Sequence, residues 1–252
     1  MSVFDLETMS AINPKCWVFV GPTLNGSTKL IDTAGVRLLP PVKRGDIDRL
    51  VATRRPGALA IVDGQFHQCL SVGHAEIRSA IARGWQVWGL SSMGAIRACE
   101  MRHMGVQGYG EVFDWFCRDE DFRDDEVALT HLPTPPYLQL SEPLIHIRLW
   151  LRELVKRRLL TLRQEKRVMD GLMALWFGER TLSHARAMVV KTIPRHANTI
   201  DETLKNFDRF RVKSHDLSNF LQEQPWKLHR SKFSVTKSIR HGASAQSLVG
   251  RI

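Results

Sequence analysis

The sequence predicts an α/β protein: a doubly wound, mostly parallel sheet followed by a helical, basic C-terminal region. Three observations carry that reading. Short, uninterrupted apolar runs punctuate the first ninety residues, segments of helical pattern separate them, and positive charge gathers in the second half of the chain. Continuous apolar runs suit strands buried on both faces, as in a parallel sheet covered by helices, and their alternation with helices is the pattern of a doubly wound sheet.

The runs are Cys16–Val20, Val36–Leu39, Ala58–Val62 and Gln86–Gly89. Between the second and third, a helix is expected over Gly45–Thr53. Asp46 and Asp48 stand near its start and Arg54 and Arg55 at its end, the charge order that the helix dipole favours. Between the third and fourth, His74–Arg83 reads as a helix stopped at Gly84, and Gly94–Met104 as the next, stopped at Gly105. Glycines, acids and Pro133, Pro135 and Pro136 mark 105–140 as irregular. A helix over 141–160 follows, capped by Ser141 with Pro143 in its first turn, then amphipathic helices near 163–177 and 199–223. From Leu228 onward, Ser, Lys, Arg and His predominate, as in a mobile basic tail. The organisation expected is a core domain over 17–160, a helical basic extension over 161–227 and a tail over 228–252.

With 252 residues, 43% of them hydrophobic, the chain can bury a sizeable core, which excludes disorder throughout. No apolar run is long enough for a membrane span, and the acid-bearing N-terminus speaks against a signal peptide. The cysteines Cys16, Cys69, Cys99 and Cys117 are scattered without a CxxC pair, which argues against zinc and disulfides and for a cytoplasmic protein with reduced thiols. No metal or cofactor is expected. Residues 1–142 carry a net charge of −3 and residues 143–252 a net of +13, so the basic half should face an acidic partner. Nucleic acid ranks last among such partners, because charge alone supports it and no recognition motif accompanies it.

Ligands of such sheets bind beyond the carboxyl ends of the strands. Those ends carry Gly21-Pro22-Thr23, Asp63-Gly64-Gln65 and Ser91-Ser92-Met93-Gly94. The last is a serine-bearing strand-to-helix turn, where backbone N–H groups at a helix N-terminus can hold an oxyanion. Its spacing departs from GxSxG, since Leu90 stands two before Ser92, and Ser91 or Ser92 could equally be a plain helix cap. His74, beside Glu76, and His131, after Asp124-Asp125-Glu126, are the candidate bases, each also readable as a surface histidine among charges. Asp63 ends an apolar strand, where a carboxylate must be hydrogen-bonded or functional, unless it merely forms an Asp-Gly turn. Gly21–Thr28 has the glycine spacing of a phosphate loop, but Ser27 replaces the required lysine. Gly105–Gly110 follows a helix and reads as a turn.

These segments, in order, resemble the TfuA-like family. Val18-Phe19-Val20-Gly21-Pro22, Arg44-Gly45-Asp46, Ile61-Val62-Asp63-Gly64 and His74-Ala75-Glu76-Ile77 come first. Ser92-Met93-Gly94-Ala95-Ile96-Arg97-Ala98-Cys99-Glu100, Asp124-Asp125-Glu126-Val127-Ala128 with His131, and Ser141-Glu142-Pro143-Leu144 follow. The resemblance spans about 17–160 and is most specific at the serine segment. It implies a protein that accompanies a YcaO enzyme in making ribosomal peptides with modified backbones, and hydrolyses a thiocarboxylated, ThiS-type sulfur carrier to supply sulfide for thioamidation. The family pattern differs at Ala75, where a basic residue is usual, at Gln65, where an aromatic is usual, and at His146, where asparagine is usual.

On that resemblance, Ser92 is the nucleophile or water-orienting group, His131 or His74 the base, and Asp63 an orienting carboxylate. Ser91, Gly94, Arg97, Glu100, Glu76 and Glu126 would shape the substrate pocket, although Arg97 and Glu100 could equally form an ordinary helical ion pair. The partners implied are the YcaO enzyme, the carrier and the precursor peptide, with no membrane. The competing reading is a non-catalytic adaptor that docks the YcaO enzyme and the peptide through the basic half.

Overall fold

The computed structural model describes residues 15–26, 35–65, 69–119 and 123–228. The expected tail, beyond Leu228, and the end of the loop after Gly21 lie outside these residues. Five parallel strands form one sheet in the order β2-β1-β3-β4-β5: β1 Cys16–Phe19, β2 Val36–Leu39, β3 Ala58–Ile61, β4 Gln86–Leu90 and β5 Gln107–Tyr109. The register sets Phe19 beside Leu39 and Ile61, and Ile61 beside Gly89, so the carboxyl ends of β1, β3 and β4 finish level. The α/β expectation holds.

Every residue of β1 and β3 is buried, because helices cover both faces. On one face, Trp17, Phe19, Leu59, Ile61 and Val87 pack against Ile47 and Leu50 of α1 (Asp46–Thr53), Ile77 and Ala80 of α2 (His74–Ala82) and Ala98 and Met101 of α3 (Met93–Met101). On the other, Cys16, Val18, Ala60, Trp88 and Leu90 meet Leu217, Phe220 and Leu221, which come from the far end of the chain. Each Val, Leu, Ile, Phe or Met among them contributes about 1.5–3 kcal/mol when fully removed from water.

The region 105–140 is more regular than expected. It holds β5 and a helix, α4 (Glu111–Arg118). The cap of α4 is not local: the Asp216 carboxylate accepts the N–H groups of Glu111 (2.9 Å) and Val112 (3.0 Å). Gly110, at φ 92°, leaves the room that this carboxylate needs, since a Cβ there would stand 2.3 Å from its carbon. Gly108 likewise makes way for Phe113.

The next helix, α5, runs Leu144–Lys156 and not from Ser141. Pro143 disfavours helical geometry in the residue before it, and the Ser141 hydroxyl accepts the Thr130 N–H at 2.8 Å instead of capping. α6 (Leu162–Met173) and α7 (Leu182–Thr192) begin at hydroxyl caps on Thr161 and Thr181. The single helix expected over 199–223 is two, α8 (Ala197–Lys205) and α9 (Val212–Glu223), because Phe207 and Phe210 turn into the helical core between them. That core is centred on Trp150, whose indole N–H donates to the Thr203 hydroxyl at 2.9 Å. α9 then leaves it and covers the sheet. Among the described residues, no helix is long and apolar enough to cross a membrane, and no cluster of His, Cys, Asp or Glu could hold a metal ion.

Candidate active site

A cleft of about 310 Å³ opens at the carboxyl edge of the sheet, lined by Asp63, Gly64, Ser92, His131, Trp176 and Lys213 among others. It lies where β1 and β3 send their connections in opposite directions, the place where open α/β sheets bind ligands.

Asp63 follows β3 and reaches across to β1. One carboxylate oxygen accepts the N–H groups of Gly21 (2.8 Å) and Thr23 (3.0 Å), and the other accepts the Thr23 hydroxyl (2.6 Å). These bonds offset the cost of burying the charge and clamp the two strand ends together.

The serine turn divides its work between two residues. Ser91 sits at φ 63°, a left-handed conformation uncommon for a non-glycine residue, and is wholly buried. Its hydroxyl donates to the Lys213 carbonyl at 2.8 Å. Ser92 occupies the cap position of α3, yet its side chain makes no capping bond, and it faces the cleft. The Met93 N–H follows it as the first of the helix's amides without an intrahelical partner. Helix and strands approach so closely here that a Cβ on Gly94 would fall 1.7 Å from the Ile61 carbonyl oxygen, and one on Gly89 would fall 2.1 Å from that of Gly94. Gly94 thus builds the turn without lining the cleft.

His131 stands in the cleft wall. Its Nδ1 donates to the Leu132 carbonyl at 2.7 Å, which leaves Nε2 as an acceptor, and its ring meets Tyr137 edge-on. The acids before it in sequence do not orient it: Asp125 pairs with buried Arg180 at 2.7 Å, and Glu126 with Arg148. Arg180 also binds the carbonyls of Leu172, Leu175 and Asp125, which locks the helical region to the turn leading into the cleft wall.

The remaining expected residues lie elsewhere. His74 donates to Glu100 at 2.7 Å, and Arg97 binds the same carboxylate oxygen at 2.7 Å, a cluster on the flank between α2 and α3 that does not line the cleft. Glu76 accepts the N–H groups of Gly73 (2.8 Å) and Gly45 (3.0 Å), which ties the starts of α1 and α2.

Residues 63–181 match the model of the TfuA-like protein family, a span that begins at the Asp63 clamp and contains the serine turn and His131. These residues form a TfuA-like domain. No curated protein matches it. The TfuA-like match ends before α7, so one wall of the cleft comes from outside it: Lys213, at the start of α9, and behind it Arg211.

Sequence reasoning missed Lys213. One signal was present: it stands four and seven residues before Leu217 and Phe220, and so occupies a position of α9's buried stripe. Behind it lies a buried chain of polar groups. Arg211 binds Glu142 at 3.2 Å, Glu142 accepts from His146 Nδ1 at 2.6 Å, and His146 Nε2 accepts the Lys213 backbone N–H at 3.4 Å. Burial holds His146 below the ordinary histidine value despite Glu142 beside it. Burial alone would raise Glu142, but His146 and Arg211 outweigh it and hold the carboxyl below its ordinary value. In both groups the native state gives up its proton more readily than the unfolded chain. Their stabilisation is therefore complete above the unfolded histidine value of 6.5 and is lost as pH falls, first through His146 and then, below 4.5, through Glu142. Thermal melts between about pH 8 and pH 5 should show the midpoint dropping in the wild type and dropping less in His146→Gln. Parallel slopes for the two proteins would refute this account.

Proposed function

We propose that this TfuA-like protein serves the biosynthesis of ribosomally made, backbone-modified peptides. In this reading it hydrolyses a thiocarboxylated ThiS-type carrier and supplies sulfide to a YcaO partner. The family supports the setting, and one observation supports the chemistry: Ser92 carries a hydroxyl not spent on capping, at the mouth of a helix N-terminus and inside a cleft. A thiocarboxylate is an acyl group. Its cleavage needs a nucleophile, donors for the tetrahedral oxyanion and a proton for the departing sulfide. Ser92 attacks, the Met93 amide at the helix N-terminus serves as oxyanion donor, and His131, on the cleft wall, serves the leaving group. His74 has no part in this reading, because its partner Glu100 holds it outside the cleft.

The test is sulfide release from a purified thiocarboxylated carrier by the purified protein, without the YcaO enzyme. His131→Gln should lower turnover about 100-fold or more, and His74→Gln should leave it within a few-fold of wild type. Release only in the presence of the partner enzyme would favour an adaptor, and a larger loss in His74→Gln would move the site to the α2–α3 flank.

A further inference from the structure

The reading above leaves Ser92 without a base, and the cleft supplies one that it does not use. Lys213 is 1% exposed, one of the largest fully buried side chains of the protein, and lines the same cleft as Ser92 and Asp63. Its backbone is pinned by both ends of the machinery: the carbonyl accepts from Ser91, the neighbour of Ser92, and the N–H donates to His146. The next residue, Ser214, donates its hydroxyl to the Thr23 carbonyl at 2.8 Å, in the loop that the Asp63 carboxylate clamps. A surface lysine needs no such fixing. Its Nζ donates to the Val127 carbonyl at 2.9 Å, and among the described residues it forms no ion pair. An ammonium has three N–H donors, so this one bond is a poor exchange for hydration.

We propose that Lys213 is the general base that takes the proton from the Ser92 hydroxyl. The proposal rests on Ser92 as the nucleophile. As the serine oxygen forms its bond to the thioacyl carbon, Lys213 receives the proton. When the C–S bond breaks, the proton passes from the ammonium by way of His131 Nε2 to the departing sulfide, and the carrier is left as an ester of Ser92. Water then attacks the ester, gives its proton to Lys213, and the serine oxygen regains a proton as the C–O bond breaks. Thiocarboxylate and water thus become carboxylate and hydrogen sulfide.

The surroundings favour a neutral amine. Burial pushes Lys213 below the ordinary lysine value, opposed by the carboxylates of Asp63 and Glu142. Asp63 faces it from the end of β3 already saturated by three donors, Glu142 from the start of α5 already bound to His146 and Arg211, and His131 shares the cleft wall. Among the described residues, neither carboxylate forms an ion pair with the ammonium.

The experiment labels Ser92 with a fluorophosphonate, which reports serine activation without any carrier, and measures sulfide release in parallel. Wild-type labelling should reach its plateau through an inflection below the ordinary lysine value of 10.5, and the inflection should persist in His131→Gln. Lys213→Met, of similar volume, and Lys213→Arg, which keeps the cation but cannot release its proton, should both lose labelling by about 100-fold or more. Sulfide release that depends on Ser92 but survives in Lys213→Met would overturn the base and leave the carrier reading intact. Lys213-dependent labelling of Ser92 with no sulfide release would do the reverse. If neither variant folds, the wild-type profile decides: labelling that keeps rising with pH, without an inflection, overturns the proposal.

Discussion

Ser92→Ala is expected to abolish sulfide release, with a loss of about a thousand-fold or more, while the melting temperature stays near that of the wild type. The stability half of this expectation follows from the cap geometry. A hydroxyl that caps a helix is worth about 1 kcal/mol, and the Ser92 hydroxyl makes no capping bond to lose. The activity half follows from nucleophilic catalysis, in which removing the attacking oxygen leaves only binding and oxyanion stabilisation. Ser91→Ala provides the contrast. It removes the bond to the Lys213 carbonyl and should destabilise the turn without deleting the nucleophile. Circular dichroism melts beside the sulfide assay separate the two. A folded Ser92→Ala protein with full activity would end the nucleophile assignment.

Gly94→Ala should cost more stability than the same change at any other described glycine. The new Cβ would fall 1.7 Å from the Ile61 carbonyl oxygen and 3.3 Å from the Gly89 Cα, and both neighbours are backbone in the middle of the sheet. Neither can rotate away, so α3 must lift from β3 and β4. Overpacking of this severity costs about 3 kcal/mol or more, which for a chain of this size lowers the melting temperature by about 6–12 °C. The serine turn moves with the helix, so residual activity should fall even below the melting transition. A Gly94→Ala protein that melts with the wild type would show that α3 has room to lift from the sheet at no cost.

The parts of the fold that could be read from sequence are those whose causes are local. β1 and β3 are buried on both faces, and their apolar runs say so directly. α4 escaped because its N-terminal amides are capped by Asp216, far along the chain, so no capping residue stands beside the helix. α7 escaped because only Ala185 and Val189 are fully buried along it, too sparse a stripe to mark a helix. The site followed the same division. Asp63 and Ser92 stand at strand ends, and their place in the cleft follows from the strand pattern. Sequence neighbours mislead for the histidines: Asp125 and Glu126 before His131 bind Arg180 and Arg148, Glu76 beside His74 accepts backbone amides, and His74 finds its partner on another helix. Lys213 is joined to the serine turn by a hydrogen bond between residues 122 positions apart.

The late arrival of α9 sets an order on the protein's assembly. Strands made early in synthesis have one face covered by helices that follow them closely, while the face formed by Val18, Ala60 and Trp88 waits for Leu217, Phe220 and Trp226. During translation that face stays bare until the chain has grown past residue 226, and the cleft lacks the wall bearing Lys213 for nearly as long. A ribosome-bound fragment that ends before α9 has neither the enclosed pocket nor the Lys213 carbonyl that the Ser91 hydroxyl binds. Enclosure of the cleft thus waits for α9, and a chain truncated before it carries an apolar sheet face that marks it for aggregation or removal.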